Sequence, residues 1–299
     1  MTARDRHYGS PVAFRRALTE TLRDLARTSR WSLPQLQRQI AYDRLLERLY
    51  LLDDGWIVKG AAALLARNLA VRETVDVDVY RSATLQQAET DLRAAATRDI
   101  GDWFHFEIGR SRPVSAGGAG LRLPLTVFIG PTEWCTFRVD LVGSEIRITG
   151  QPDRVPPMAR IAIPDIEQHG YRAYPLVDHI ADKVTATLQT YGEGRVPSTR
   201  YKDLVDLVAI VSQAEVEAET QRAALDSEAD RRGITLPPMF SVPDRELWEK
   251  GYAAEARRSL LGTALTLNEA LAVVAPFLNP LFDGSAAGSW KSEECRWTS

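Results

Sequence analysis

Two aspartates, Asp76 and Asp78, occupy alternate positions of the run Val-Asp-Val-Asp-Val-Tyr and could together bind a metal ion. Successive side chains of a β-strand point to opposite faces, so both carboxylates would project from one face, with Cα atoms about 6 to 7 Å apart. Two carboxylates at this spacing can converge on a hard divalent cation of the kind that organises phosphates. The alternative is a half-buried edge strand with a solvated polar face.

A glycine turn upstream favours the chemical interpretation. Lys59, Gly60 and Ala61 follow the apolar run Trp-Ile-Val at residues 56–58 and begin a short helical segment. Glycine permits close approach of the backbone to a ligand, and the free N–H groups at the start of a helix favour phosphate. Because many turns between a strand and a helix contain glycine, this turn is informative only together with the two aspartates.

A third carboxylate, Asp140, interrupts the otherwise apolar run Val-Asp-Leu-Val at residues 139–142. On a neighbouring strand it would complete a site able to hold two metal ions about 3.5 to 4 Å apart. A structural or edge-exposed aspartate is the alternative.

Further candidates come from the helical second half of the chain. Lys183 borders the apolar stripe of a helix over residues 176–190 and could reach inward, although a solvated lysine is the alternative. Asp203 and Asp206 lie three residues apart near the start of the next helix, on neighbouring positions of one face. Carboxylates in a first turn also complement the helix dipole, which is a purely structural explanation for them.

Composition narrows the class of protein. The net charge of −3 over 299 residues argues against a protein that is basic throughout, although arginines are frequent in residues 4–48 and could form a local RNA-facing surface. Two cysteines allow no disulfide framework. The chain shows neither the apolar core of a secretory signal nor a membrane span, which predicts a cytoplasmic protein.

The periodicity of apolar residues predicts an α+β fold. Amphipathic helices are expected over residues 11–30, 33–52 and 84–98, and strands over residues 104–108, 121–129 and 135–142, with glycine turns near 115–120 and 192–194. Helices are then expected over residues 176–190, 200–212, 214–231 and 265–281. We therefore predict an N-terminal α/β domain (1–165), a C-terminal helical domain (166–285) and a flexible tail (286–299).

The ordered combination of these motifs resembles the AbiEii-type nucleotidyltransferase toxins, which include the mycobacterial MenT group and belong to the polymerase-β-like superfamily. The resemblance covers roughly residues 35–215. The first matching motif is Lys-Gly at residues 59–60, and the second is Arg-Glu-Thr-Val-Asp-Val-Asp at residues 72–78. The inward lysine at 183 and the motif Arg-Tyr-Lys-Asp-Leu-Val-Asp at residues 200–206 follow in the same order. It implies a polymerase-β-like nucleotidyltransferase core with added N-terminal helices and a C-terminal helical domain.

The resemblance also implies a function. It predicts a toxin that uses a nucleoside triphosphate with Mg²⁺ or Mn²⁺ to extend an RNA, with the 3′ end of tRNA favoured, and so blocks translation. Its partner would be a cognate antitoxin that resembles a transcriptional regulator.

Roles for individual residues follow from the same resemblance. Asp76 and Asp78 would bind the metal, with Asp140 as third carboxylate and general base for the acceptor hydroxyl. Lys183 and Asp206 would match the later motif residues, with Lys183 on the triphosphate. The residues expected to contact the nucleotide or the acceptor are Lys59, Gly60, Ala61, Lys183, Arg200, Lys202 and Asp203.

One departure from the family pattern leaves alternatives open. The family usually has a serine or threonine after the turn glycine, whereas this chain has three alanines at 61–63. Loss of one hydrogen bond to a charged group costs on the order of 1.5 to 3 kcal/mol. This departure leaves open a catalytically weak toxin that binds RNA or a partner. Nucleotidyl transfer to a small molecule or a protein is a further alternative, because different acceptors share the same donor machinery. The chain has neither the phosphate-loop motif of ATPases nor the G-x-S-x-G elbow of serine hydrolases.

Overall fold

The computed structural model describes residues 6–114, 120–143, 148–192 and 196–298. Residues 115–119 and 193–194 of the two predicted glycine turns lie outside these ranges. The chain divides into two compact units, one from segments 1–68, 73–146 and 153–173 and the other from segments 69–72, 147–152 and 174–299. The domain boundary expected at residue 165 stays a prediction.

The first unit combines four helices with a sheet in its described residues. The helices are α1 (Pro11–Thr28), α2 (Leu33–Tyr50), α3 (Gly60–Ala66) and α4 (Leu85–Ala96). The strands are β1 (Trp56–Lys59), β2 (Asp76–Arg81), β3 (Phe104–Ile108), β4 (Arg112–Pro113), β5 (Gly120–Ile129), β6 (Thr132–Val142), β7 (Asp153–Val155) and β8 (Tyr171–Ala173).

These strands form one mixed sheet in the order β3-β5-β6-β2-β1-β8-β7, with β4 paired to β5. The strand β2 is antiparallel to β1 and parallel to β6, so the two predicted carboxylate strands are neighbours. One face of these two strands is fully buried, because Val77, Val79, Val139 and Leu141 have no exposed surface. Burial of this apolar face fixes the register, since a slip of one residue would turn the valines to the opposite face.

Local sequence explains where the helices of this unit begin. Ser10 and Thr84 cap α1 and α4 by accepting hydrogen bonds from the backbone N–H groups of Ala13 and Gln87. At α2 the side chain of Gln35 accepts from the backbone N–H of Ser32 at 2.8 Å, which forms part of a capping box. The helices predicted from apolar spacing are present here, and they end two residues earlier than predicted.

The second unit is mainly helical. Its helices are α5 (Leu176–Leu188), α6 (Tyr201–Val211), α7 (Ala218–Arg232), α8 (Arg245–Arg258) and α9 (Leu267–Phe282). Two short hairpins join β9 (Thr190–Tyr191) to β10 (Val196–Pro197) and β11 (Ser289–Lys291) to β12 (Arg296–Thr298). The helix α7 begins four residues later than predicted, because Glu217 is extended and forms an isolated β-bridge with Ser289.

The C-terminal residues differ from the flexible tail that composition predicts. They form the hairpin of β11 and β12, and Trp290 has no exposed surface. The indole N–H of Trp290 donates to the carbonyl of Val211 at 2.9 Å, and that of Trp297 donates to the carbonyl of Phe277 at 3.0 Å. Two buried or half-buried indoles on one hairpin anchor it against α6 and α9, because large aromatic surfaces contribute strongly to packing.

The predicted α+β fold is confirmed, with N-terminal helices, a mixed sheet and a helical C-terminal region. Among the described residues, no helix is long and apolar enough to cross a membrane.

Candidate functional site

The three predicted carboxylates lie on one face of the sheet in the first unit. Asp78 of β2 is in register with Asp140 of β6, and Asp76 is in register with Arg138 of β6. Residues in register on neighbouring strands project to the same face, about 4.8 Å apart in the hydrogen-bonding direction. Asp76 lies two residues before Asp78 and therefore shares that face. We call Asp76, Asp78 and Asp140 the carboxylate face.

A row of charged residues crosses four strands at the level of Asp78. Lys59 of β1 is in register with Asp78, and Arg122 of β5 is in register with Asp140. The order across the sheet is therefore a lysine, two aspartates and an arginine. Two carboxylates that are neighbours within a sheet repel each other, and the flanking cations offset this repulsion.

Arg122 binds Asp140 through both oxygens, with donor–acceptor distances of 2.7 Å from Nε and 2.6 Å from Nη2. Asp140 is mostly buried, with 8% of its surface exposed, so this bidentate pair is partly shielded from water. The hydrogen bond that Arg122 donates to Asp140 raises the pKa of Arg122 above its usual value, and the charges of Asp140, Asp76 and Asp78 add to the effect. All three aspartates of the carboxylate face therefore help to keep Arg122 protonated.

A second arginine neutralises Asp76. The Nε atom of Arg138 donates to Oδ1 of Asp76 at 2.6 Å. The backbone at this point is also held by Thr74, whose hydroxyl donates to the carbonyl of Asp76 at 2.8 Å and accepts from its N–H at 3.2 Å. The start of β2 is thus fixed before its first carboxylate.

The glycine turn lies directly against Asp78. Gly60 has a φ of +59°, in the left-handed region that favours glycine, and a Cβ added there would lie 1.9 Å from Oδ2 of Asp78. Gly60 is the first of the seven residues of α3, and the next three, Ala61, Ala62 and Ala63, are buried. The two motifs that sequence analysis combined are therefore in contact.

The remaining predicted residues form a second group, within the second unit. The ammonium of Lys183 donates to Oδ1 of Asp203 at 3.0 Å and to Oδ2 of Asp206 at 2.7 Å. The exposed fractions of these three residues are 4%, 4% and 1%. The alternative of a solvated lysine is excluded, and Asp203 and Asp206 do more than complement a helix dipole. We call these three residues the lysine cluster.

Two arginines complete the charge balance of the lysine cluster. Arg72 binds both oxygens of Asp206, at 2.9 Å from Nε and 2.7 Å from Nη2, and Arg200 donates to Asp203 from its half-exposed side chain. Burial acts to raise the pKa of Asp206, but the charges of Lys183 and Arg72 outweigh it and lower that pKa to about 2. Burial acts to lower the pKa of Lys183, yet Asp203 and Asp206 hold it above its usual value.

Sequence analysis found the acidic members of both groups and missed three of the cations. Arg72, Arg122 and Arg138 each bind a predicted aspartate but were not predicted as site residues. Arg138 lies two residues before Asp140 on the same strand. Because alternate residues of a strand share a face, this spacing could have predicted that Arg138 lies on the carboxylate face. Lys202, a predicted contact to nucleotide or acceptor, is an exposed residue in the first turn of α6.

The carboxylate face can bind a divalent cation only if oxygen atoms of a substrate supply further ligands. Within the described ranges, no group of three or more His, Cys, Asp or Glu side chains is arranged to hold a metal ion. Mg²⁺, however, commonly binds one or two protein carboxylates, keeps several waters and takes its other oxygens from substrate phosphates. Asp76 and Asp78 meet that smaller requirement, and the set of three ligands with Asp140 stays a prediction.

Comparison with known proteins adds a family and a fold. A family model for the nucleotidyl transferase AbiEii toxin, type IV toxin–antitoxin system, matches residues 44–274. The solved structure of MenT4, the nucleotidyltransferase toxin Rv2826c from Mycobacterium tuberculosis H37Rv, is similar at 16% identity, with a TM-score of 0.50 over 73% of this chain and 74% of that chain. JHP933 from Helicobacter pylori gives 14% identity and a TM-score of 0.43 over 83% of this chain and 92% of that chain. No curated protein matches the chain. At 16% identity the MenT4 structure shows similarity of fold alone.

Proposed function

This chain belongs to the AbiEii family of nucleotidyltransferase toxins of type IV toxin–antitoxin systems, and we propose that it transfers a nucleotide from a nucleoside triphosphate to the 3′ end of an RNA. The acceptor we favour is tRNA, whose modification would block translation. The observation that carries the proposal is the register that puts Asp76, Asp78 and Asp140 on one face, with Gly60 against Asp78.

Asp76 and Asp78 would hold Mg²⁺ or Mn²⁺ together with oxygens of the triphosphate. The ion, when bound, would neutralise negative charge that develops on the phosphates during transfer. Asp76 would have to exchange its hydrogen bond from Arg138 for this role. The released guanidinium remains on the same face, where a phosphate oxygen would be a suitable new acceptor.

Asp140 is the proposed general base for the acceptor hydroxyl. Both of its oxygens accept from Arg122, so taking up a proton requires that this bidentate pair opens. We propose that binding of the triphosphate opens it, because Arg122 can exchange one carboxylate for phosphate at little electrostatic cost.

Lys183, Arg200 and Lys202 are the proposed basic contacts in the second unit, with Asp203 and Asp206 as their positioning partners. The Lys183 ammonium is held by two carboxylates, so contact with a phosphate requires that it exchange one of them. Lys202 is exposed and can meet a phosphate directly, whereas the half-exposed Arg200 would have to exchange its hydrogen bond to Asp203. Lys59, Gly60 and Ala61 remain the proposed nucleotide contacts in the first unit.

Label transfer tests the proposal. The purified protein is incubated with total bacterial RNA, Mg²⁺ or Mn²⁺ and each labelled nucleoside triphosphate in turn, beside the variants Asp76→Asn and Asp78→Asn. Asp24→Asn is a matched control, because Asp24 is an exposed residue of α1. We expect label in RNA with the parent protein and the control only. Full labelling by Asp78→Asn would contradict the proposed metal site.

Two further candidates are tested with the same proteins. Label on a protein or a small molecule would identify a different acceptor. The buried alanines at positions 61–63 motivate the other candidate, a weakly catalytic toxin that binds RNA or a partner, because they provide no hydroxyl for phosphate. That candidate predicts that the Asp76→Asn and Asp78→Asn variants keep their effect on cell growth, whereas the transferase predicts that they lose it.

The type IV family implies an antitoxin as partner. We propose that the cognate antitoxin resembles a transcriptional regulator. Co-expression should restore growth of cells that express this chain, and a partner without a DNA-binding fold would contradict this part of the proposal.

A further inference from the structure

A cavity of about 490 Å³ lies in the first unit, away from the carboxylate face. The C-terminal end of α1, the first half of α2, the C-terminal end of α3 and residues 157–160 line it. None of the predicted site residues lines it. Its volume is within the range of about 300 to 1,000 Å³ that small-molecule sites usually have. We call it the helical cavity.

The lining of the helical cavity is positively charged and has no counter-ion. Arg30 and Arg160 contribute to it, whereas no aspartate or glutamate does. Arg30 donates to the carbonyl and the side-chain oxygen of Asn68, at 3.1 and 3.0 Å, and both acceptors are uncharged. Partial burial lowers the pKa of Arg30. In the part of the chain that the structure describes, Arg160 has no hydrogen-bond or ion-pair partner. This lining favours an anionic ligand.

The side chain of Gln39 provides a second, independent sign of a ligand. Gln39 of α2 lines the helical cavity with only 3% of its surface exposed. Its side chain makes no hydrogen bond to any residue of the described ranges. The amide atoms of Gln39 are not sealed within the protein interior, so a molecule in the helical cavity can reach them. A ligand with an adjacent donor and acceptor, such as the edge of a nucleobase, would satisfy both ends of this amide.

The remaining walls suit a flat ring. Trp31 lines the cavity and is 8% exposed, and the guanidinium of Arg30 lies 5.2 Å from the centre of its ring. Leu36, Leu65 and Met158 add apolar surface. Together with the exposed part of Trp31, these side chains give an apolar wall against which a base could pack.

Asp43 fixes the wall opposite the helices. Its two oxygens accept from the backbone N–H groups of Met158 and Ala159, each at 2.9 Å, and from the hydroxyl of Tyr171 at 2.6 Å. Gln168 supports the same segment by donating to the carbonyl of Ala159 at 2.8 Å. A wall held by these bonds is preorganised, which lowers the entropic cost of binding.

We propose that the helical cavity is a second ligand site, which binds one nucleoside monophosphate separately from the transfer reaction. The base would contact Trp31 and the amide of Gln39, and the phosphate would be bound by Arg30 and Arg160. The proposal does not depend on the identity of the acceptor or on activity at the carboxylate face.

Calorimetric titration tests this proposal. The full chain carries Asp76→Asn and Asp78→Asn and is kept in excess chelator, so that binding at the carboxylate face is disabled. The probes are the four nucleoside monophosphates, adenosine and inorganic phosphate. We expect one equivalent of a monophosphate to bind, at least about tenfold more tightly than adenosine or phosphate, since each lacks one of the two recognised parts.

Variants at the cavity locate the binding. Gln39→Leu and Arg30→Gln should each weaken binding about tenfold, whereas Arg23→Gln, at an exposed residue of α1 that does not line the cavity, should leave it unchanged. Gln39→Leu removes an unpaired amide and should not reduce the free energy of unfolding. If Gln39→Leu does not fold, Arg30→Gln alone tests the site, because replacing an exposed residue should not prevent folding. Absence of monophosphate binding, equal binding of inorganic phosphate, or unchanged affinity in the cavity variants would overturn the proposal.

Discussion

Gly60 and Asp78 approach each other so closely that a Cβ on Gly60 would lie 1.9 Å from Oδ2 of the Asp78 carboxylate. The contact joins the glycine turn after β1 to the second carboxylate of β2. It requires glycine for two separate reasons, the left-handed φ of +59° and the lack of space. The turn and the carboxylate face therefore form one structural element.

Gly60→Ala should abolish nucleotidyl transfer, because the new methyl group displaces the Asp78 carboxylate. The left-handed backbone adds roughly 1 to 2 kcal/mol of destabilisation. Gly233→Ala is a matched control, since Gly233 has a φ of +63° and no atom within 4 Å of an added Cβ. The control should lose only the backbone contribution and keep its activity. Label transfer and chemical unfolding of both variants measure this difference. An active Gly60→Ala protein would show that transfer does not require the observed position of the Asp78 carboxylate.

Lys183→Met should destabilise the second unit by about 3 to 5 kcal/mol, because it leaves Asp203 and Asp206 buried without the cation that both contact. Lys250→Met replaces a lysine whose side chain is 83% exposed and should change stability by no more than about 0.5 kcal/mol. Amide hydrogen exchange within α6 reports on this region directly. Unchanged protection of α6 in Lys183→Met would mean that the lysine cluster contributes little to folding.

The low pKa of Asp206 predicts loss of stability in acid. Its folded-state value of about 2 is below the ordinary value of 3.8, so its contribution is present above pH 4 and is lost as the pH falls toward 2. The contribution at neutral pH is roughly 2 kcal/mol, since one pKa unit corresponds to about 1.4 kcal/mol. Protection of α6 amides measured between pH 2 and pH 6 should fall toward acid. The Asp206→Asn variant should show a flatter dependence; an equally steep one would assign the acid sensitivity to other groups.

Asp43 predicts a pH dependence of the opposite sign in the first unit. Burial raises its pKa from 3.8 to about 6, although hydrogen bonds from Tyr171, Ala159 and Met158 oppose the shift. A raised pKa contributes stability that is present below pH 4 and is lost as the pH rises through 6, to a total of about 3 kcal/mol. Amide protection within β8 should therefore decrease from pH 4 to pH 7. Asp43→Asn cannot ionise and should remove that slope, and a slope retained in the variant would contradict the assignment to Asp43.

The helices and strands that carry the candidate site were predictable because each has a strong local pattern. Apolar residues recur every three to four positions in α1, α2, α5 and α6, and Asp76 and Asp78 alternate with valines. The helix α8 was missed although Trp248, Tyr252 and Ala256 recur every four residues and are fully buried. The C-terminal hairpin was missed because its strands have three residues each, too few to show alternation.

The sequence alone determined which residue types could do chemistry, that Asp76 and Asp78 share a face, and which family this chain belongs to. Only the tertiary structure decided what neutralises those aspartates. Arg122 and Asp140 are 18 residues apart in sequence and meet through the register of β5 and β6, while Arg72 and Asp206 are 134 residues apart. Local periodicity specifies the face of an element but carries no information about which distant side chain packs opposite it. That choice depends on long-range packing, and it is the reason both the arginine partners and the helical cavity became visible only in the folded chain.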